Sequence, residues 1–445
     1  MQLYSRAMRG WVHPADVFVT LYATDEKAFW LDREFHPTQR FSVMGHAYSP
    51  ETLNPEGLFE ALAERSAWPT HVIGEETSFA FRPGFVGWFE YLADGLDVEA
   101  LAGSWFEARE ALVFDHDNRT IHLIGHCKSE EKFEEWVKGA LLRLSLSGGQ
   151  RIGYAMRNAP KAPAQLTSVA HDDDEYLGLI RKAQAHIAAG DVYQLCLTNK
   201  LTFIHTQDPL ETFMRLREAN PAPYACYIRV GERALVCSSP EQFLELSADG
   251  RLSTKPIKGT RKRSADAEED AAIAAELANN LKERAENLMI VDLMRNDLGR
   301  VALPDSVAVT SLFEVEQYAT VHQLVSTVVA QKDPEVGVRQ VIEAAFPGGS
   351  MTGAPKIRAM QIIGDLEQTP RGVYSGVAGI LGNDGSAELG MVIRSLVFDG
   401  DEVTIGVGGG ITIDSNPAAE LAETKLKAQA LLNVLGLHDP TQVAW

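Results

Sequence analysis

The stretch LKERAENLMIVDLMRND, residues 281–297, begins like a surface helix and ends like a helix with no polar side. Glu283 and Glu286 lie three residues apart and share one face of it. Ile290, Leu293 and Met294 continue that face, and LMIVDLM is apolar almost all round. A helix apolar on every side has to be enclosed by other elements. The chain must therefore build layers around it. The periodicity predicts one long helix over about 267–297, with Leu277, Leu281, Leu288 and Val291 as its apolar stripe. The two carboxylates stand where that helix enters the interior. Adjacent carboxylates in such a place repel unless they are protonated, paired with cations or bound to a metal.

A second Glu-x-x-Glu pair occurs in GVGGGITIDSNPAAELAETKLKAQ, where Glu420 and Glu423 share a face. Asn416 followed by Pro417 predicts the start of a helix over about 417–436, with Asn416 as its cap. Two helices offering two carboxylates each suit Mg²⁺, which takes oxygen ligands and keeps several waters. Plainer readings stand beside this one. Glu420 in a first turn complements the helix dipole, and Glu423 with Lys427 makes an ordinary i,i+4 pair.

The rest of the chain alternates strand-like runs with helices, among them VYQLCLTNKLTFI, YACYIRV, RALVCSS, GVYSGVAGIL, LGMVIRSLVF and EVTIGVGGGITI. This is an α+β pattern with large sheets covered by long helices. Residues 156–174 carry two prolines and an acidic cluster and read as a linker between an N-terminal region, 1–155, and a C-terminal region, 175–436. A formal net charge of −20 argues against nucleic acid or an anionic membrane as the main partner. None of the four cysteines (Cys127, Cys196, Cys226 and Cys237) forms a CxxC pair, so reduced thiols are expected. No run is long and apolar enough to span a bilayer. A cytoplasmic location is the expectation.

Several isolated features are ambiguous alone. GVGGGIT, 406–412, could offer backbone N–H groups to an anion or be a bulged, tightly packed strand. FPGGSMTGAPK, 346–356, is Gly-rich but lacks the order of a P-loop. His322, in the apolar run VHQLVSTV, could be a hydrogen-bonded core residue. Arg394, in a strand-like run, could pair with an internal acid or hold a substrate carboxylate.

Taken together and in order, GDVYQLCLTNKL, SSPEQFL, KPIKGTRKR, ERAENLMIVDLMRND, VHQLVSTV, FPGGSMTGAPK, GVYSGVAGIL, IRS and GVGGGITIDSNPAAELAETKLKA resemble the chorismate-utilising enzymes. The resemblance runs from about 190 to 430 and is weaker before that, mainly at FVGWFEY. It implies one complex two-sheet α/β sandwich, a chorismate pocket and one Mg²⁺. It implies Glu286 and Glu423 as direct metal ligands and Glu283 and Glu420 as their water-bridging neighbours. It implies that Tyr374, Arg394, Gly409, Gly410 and Lys427 hold the substrate carboxylates, and that Ser350 and His322 stand near the ring.

Lys258 in KPIKGTRKR distinguishes among members. The anthranilate-forming enzymes read P-I-A-G-T there. A lysine resembles the members that aminate chorismate at C4, on the way to 4-aminobenzoate and folate, where it is the nucleophile. Glu241 in SSPEQFL matches the acid that helps the C4 hydroxyl leave. A lysine must be neutral to attack, and the cations of the basic run are expected to favour that form. The resemblance further implies a separate glutamine amidotransferase subunit supplying ammonia, since no Cys-His-Glu arrangement for a glutaminase is evident. The alternatives are anthranilate formation and a catalytically silent regulatory subunit. The family's tryptophan pocket would fall at FWLDREFHPTQRFSV and PAPYACYI, where Arg33 replaces the usual serine.

Overall fold

The computed structural model describes residues 1–92, 101–318, 321–438, 443 and 445. Two sheets dominate these residues. The larger, of thirteen strands, runs from Gly353–Ala354 through Gln194–Ile204, Glu402–Ile411, Ser395–Asp399, Arg233–Ser239 and Tyr224–Val230 into Lys27–Asp32 and the remaining N-terminal strands. The smaller, of nine strands, runs from Ile257–Lys262 through Val321–Gln331, Arg251–Lys255, Gln242–Leu246, Ala387–Met391 and Gly372–Gly382 to Gly84–Tyr91 and Ala102–Ala108. N-terminal strands thus enter both sheets. The ladder between Lys27–Asp32 and Tyr224–Val230, which opposes Trp30 to Tyr227, joins the two parts of the chain inside one sheet.

Alternation along the strands builds the layers. Val86 and Trp88 of Gly84–Tyr91 pack with Phe29, Val113, Ile228 and Leu235 of the larger sheet. Their neighbours Phe85 and Phe89 belong to a separate apolar cluster, which holds Ile290, Val291 and Met294 on the buried face of the helix Leu281–Gly299. Arg33 ties the sheets together. Its Nε donates to Glu388 Oε1 at 2.6 Å, and its guanidinium lies 4.8 Å from the centre of the Tyr224 ring. Arg33 also donates to the Ala225 carbonyl at 3.3 Å, so it links the two stretches that the resemblance associates with tryptophan. Among the described residues, no helix is long and apolar enough to cross a membrane.

Four sequence expectations change. The long helix over 267–297 is two helices, Ala267–Asn279 and Leu281–Gly299. Asn280 separates them, and its side chain accepts from the Glu283 amide as an N-cap. The stripe of Leu277, Leu281, Leu288 and Val291 is split as a result. Leu281 is 83% exposed and Leu288 45%, while Glu286, Ile290 and Met294 form the buried face. The stretch 156–174 is not a free linker, because Gln165–Val169 pairs antiparallel with Gln194–Ile204. The run LGMVIRSLVF is not one strand. It breaks between Ala387–Met391 and Ser395–Asp399, and Arg394 sits in the break with φ +52°.

Candidate active site

The strand Glu402–Ile411 sets the floor of the site. It pairs with Gln194–Ile204 along its whole length, but its ladder with Ser395–Asp399 ends at Ile405. Beyond Ile405, therefore, one edge of the glycine segment has no ladder partner among the described residues. The glycines there leave space that side chains would take. A Cβ on Gly406 would lie 2.1 Å from the Tyr374 ring, one on Gly409 3.5 Å from Lys427 Nζ, and one on Gly410 3.1 Å from Lys258 Nζ. The GVGGG segment is a strand, and its missing side chains are what admit Tyr374, Lys427 and Lys258 to its surface.

Lys258 reaches this floor from the smaller sheet. The ladder between Ile257–Lys262 and Val321–Gln331 slips between Ile257 and Thr260, and Gly259 adopts φ +82°. A glycine at positive φ accommodates such a bulge, which re-aims the neighbouring side chain. Gly259 is also closely packed, since a Cβ there would lie 2.9 Å from the Glu283 carboxyl carbon. Lys258 lies near enough to Glu241, Glu286 and Glu423 to favour their ionised forms. The other cations of the basic run do not gather around it. Lys255 pairs with Glu316 at 3.1 Å, Arg261 with Glu276 at 3.0 Å and Glu283 at 3.2 Å, and Arg263 with Asp270 at 2.7 Å. The expectation of neighbouring cations is corrected: Lys258 faces carboxylates, because Lys255, Arg261 and Arg263 are each paired with an acid of their own and Lys262 is exposed.

Glu241 is buried just before Gln242–Leu246. Burial pushes its carboxyl up to about 7, against the opposing pull of a Ser350 hydrogen bond and the Lys258 ammonium. Such a group can carry a proton near neutral pH and release it on demand. Ser350 reaches it from the 3-10 turn Gly349–Met351. That turn packs against the helix Leu281–Gly299 so closely that a Cβ on Gly349 would lie 2.6 Å from Leu293 Cδ2.

The four glutamates come from the helices Leu281–Gly299 and Pro417–Val434. The predicted Asn416 cap and Pro417 start are present. Lys282, which the sequence analysis did not single out, stands between the helices. Its Nζ is 3.7 Å from Glu286 Oε1 and 3.6 Å from Glu420 Oε1. Glu420 Oε1 also accepts from Ser415 at 2.7 Å. Glu423 pairs with Lys427 at 2.9 Å, as the plainer reading of that spacing expected. Burial pushes Glu423 upward, but Lys427, Lys282 and Lys258 hold its carboxyl below the usual range. Glu286 lies above that range because its burial outweighs Lys258 and Lys282. As the side chains stand, no three carboxylate, histidine or cysteine groups among the described residues form a metal cluster. The donor set nevertheless suits a hard cation. The buried Glu286 Oε1 has no hydrogen-bond partner, and one ammonium already lies between carboxylates of both helices.

Arg394 and Tyr374 complete the cluster. Burial lowers the Arg394 pKa, and Tyr374 and Glu423 oppose that shift only in part. Lys427 Nζ also donates to the Gly408 carbonyl at 2.9 Å. His322 is fully buried, and its contact is with Asp270, Nε2 to Oδ1 at 2.8 Å. The structure thus assembles Lys258, Glu241, Ser350, the glycines and the carboxylate helices, and sets His322 in a separate pair. Lys282 was legible as a lysine four residues before Glu286. Asp270 was not, because only the return of the strand Val321–Gln331 brings His322 to it.

This arrangement, a carboxylate-lined floor with a lysine over a glycine strand, defines a class. The chain belongs to the chorismate binding enzyme family, whose model matches residues 22–433. It is 40% identical to aminodeoxychorismate synthase of Streptomyces griseus over 95% of this chain and 63% of that protein. It is 38% identical to aminodeoxychorismate synthase component 1 of Salmonella typhimurium over 73% of this chain and 68% of that protein. Among solved structures it is similar to anthranilate synthase component I from Streptococcus pneumoniae, with TM-score 0.75, 28% identity, and 89% and 92% of the two chains covered. The chain therefore spans 63% of the length of the Streptomyces relative.

Proposed function

We propose that this chain aminates chorismate at C4, forming 4-amino-4-deoxychorismate as the chorismate-binding component of an aminodeoxychorismate synthase. The observation that carries this reading is Lys258, whose Nζ lies against the Gly410 backbone and near Glu241, Glu286 and Glu423. The Lys258 amine attacks C2, the diene shifts, and the C4–O bond breaks. Glu241 gives its proton to the departing hydroxyl, which leaves as water. Ammonia then bonds to C4, the diene shifts back, and the C2–N bond to Lys258 breaks. The net change is chorismate plus ammonia to the amino product plus water. Arg394, Lys427 and the glycine backbone orient the substrate carboxylates.

Glu286 and Glu423 would hold Mg²⁺ directly, with Glu283 and Glu420 hydrogen-bonded to its waters. When bound, the ion neutralises a substrate carboxylate. Ammonia comes from a glutamine amidotransferase partner, a reading supported by the name component 1 of the Salmonella relative.

The test is product analysis with the purified chain, chorismate and Mg²⁺. Ammonium salts are expected to support formation of the C4-amino product, converted to 4-aminobenzoate only when a lyase is added. Glutamine alone is expected to support none. Fluorescent anthranilate as the sole product would replace this reading with its C2-aminating rival.

The Glu241 carboxyl predicts a pH dependence. Its protonated form, the proton donor, predominates below about 7 and is lost as pH rises through that value. The first half-reaction, followed as covalent adduct without ammonia, should therefore fall on the alkaline side. In Glu241→Gln the reaction should be slower by about 10²-fold or more, and this limb should be missing. An unchanged limb in the variant would assign the titration to another group.

A further inference from the structure

Arg371 is buried immediately before the strand Gly372–Gly382, and all five of its N–H donors are used. Nε and one terminal nitrogen grip Glu367, to Oε2 at 2.8 Å and to Oε1 at 2.7 Å. The other three bonds reach three different segments. The Met351 carbonyl accepts at 2.7 Å, the Cys196 carbonyl at 2.7 Å and Ser375 Oγ at 3.3 Å. Met351 follows Ser350 in the turn Gly349–Met351. Cys196 opposes Gly410 in the ladder of the glycine strand. Ser375 follows Tyr374, and its backbone holds φ +66° although it is not glycine. A residue in that region persists only where its surroundings over-determine it. Glu367 widens the network. Its Oε1 also accepts from the Thr198 amide at 2.7 Å and the Thr198 hydroxyl at 3.0 Å, and Thr198 opposes Gly408.

A buried ion pair is a poor source of stability, because desolvating both charges offsets their attraction. What this one supplies is geometry. A guanidinium is a rigid planar fork, so acceptors bound to it cannot move independently. Lysine has three donors on one flexible stem and could not hold the same five acceptors. One of the segments so held reaches the proton donor of the site. Ser350, from its turn, and Lys258, from the smaller sheet, both favour the ionised form of Glu241, against its burial.

We propose that Arg371 is a positioning residue: its fork fixes the Ser350 turn to the strand opposite Gly410 and to the residue after Tyr374, and so holds Ser350 on Glu241. Arg371 acts from behind the floor and touches no reacting atom. The clamp rests on contacts within the chain, whereas its consequence for catalysis rests on the proposed amination.

The test reads Glu241 directly. Carbon-13 spectra of the full chain carrying carboxyl-labelled glutamate, with Glu241 assigned by its absence in Glu241→Gln, are expected to show it titrating at about 7 in the wild type. Arg371→Lys keeps a cation beside Glu367 but gives up the fork. Its Glu241 midpoint should rise by about 1 pH unit, the loss expected for one hydrogen bond to a carboxylate. Ser350→Ala should produce the same rise, and the double variant no more than either single one. Ammonia-dependent kcat in Arg371→Lys should fall at least about 10-fold, and the alkaline limb of the first half-reaction should move up with the Glu241 midpoint. An Arg371→Lys chain that melts lower yet titrates Glu241 as the wild type does is only destabilised, and overturns the proposal. So does an additive rise in the double variant. Should Arg371→Lys fail to fold, Thr198→Val decides. It keeps the side-chain shape, removes one hydrogen bond from Glu367, and is expected to raise the midpoint by a smaller amount. A wild-type titration there overturns the proposal. If Glu241 shifts as expected but the wild-type chain does not aminate chorismate, the clamp stands and its catalytic consequence falls with the proposed function.

Discussion

Replacing Lys258 with alanine is expected to lower C4 amination of chorismate on the order of 10³-fold, about 4 kcal/mol of lost transition-state stabilisation. The proposed route through a covalent adduct divides one hard substitution into two allylic displacements, and alanine would remove the first. Ammonia can still attack C2 directly, so the residual product of Lys258→Ala should shift toward the 2-amino isomer of the anthranilate-forming route. Lys258→Arg should fail as well. Arginine keeps the charge but does not become a neutral nucleophile at working pH. The variant is informative because the fold does not depend on this side chain: the bulge at Gly259 and the pairing of Arg261 and Arg263 remain. Intact-protein mass spectrometry of the wild type with chorismate and Mg²⁺, without ammonia, should show a covalent adduct mapping to the peptide around Lys258. Absence of that adduct, together with wild-type C4 amination by Lys258→Ala, would reduce Lys258 to a bystander.

Glu286→Ala and Glu423→Ala are each expected to reduce Mg²⁺-dependent turnover by at least about 100-fold, since losing even an outer partner of a metal ligand costs 10–100-fold. The fold should survive both changes. Glu286 places a carboxylate oxygen in the interior without a hydrogen-bond partner, a cost of about 1–3 kcal/mol that alanine relieves. Its variant should therefore melt no lower than the wild type without Mg²⁺. The rise in melting temperature on adding Mg²⁺ should disappear in both variants. Glu283→Gln and Glu420→Gln should show smaller losses, because Glu283 is tied to Arg261 and Glu420 to Ser415. Wild-type turnover and wild-type Mg²⁺ response in both alanine variants would overturn the assignment.

Local rules made much of this molecule readable. The Asn416–Pro417 helix start and most strand periodicities follow from capping and alternation, and the structure contains them. The expected all-round enclosure of 289–294 does not hold: Ile290, Val291 and Met294 are buried, but Asp292 and the preceding Leu288 are exposed. The glycine segment was legible as either an open loop or a tight strand. It is a strand because Gln194–Ile204 pairs with it throughout, and its missing side chains leave room for Tyr374, Lys427 and Lys258. The break at Asn280 was less legible, since alanine-rich and charged residues on both sides carry strong helix propensity. There the Glu283 amide donates to the Asn280 side-chain oxygen as a cap, and in the second helix Glu286 is buried while Leu281 is exposed.

The sequence alone determined which residue types are available: one lysine before Gly259 in a basic run, four glutamates in two i,i+3 pairs, and a glycine run ahead of the second pair. These are properties of spacing within single elements, where neighbours are fixed by helix and strand geometry. The tertiary structure alone decided the partners. Which cations of the basic run pair away from Lys258, that Lys282 stands between two helices, that Arg33 crosses to Glu388, and that Asp270 meets His322 all depend on contacts between residues from 7 to 355 positions apart in the chain. No local periodicity encodes such contacts, because they arise only when separate strands and helices close around a common interior.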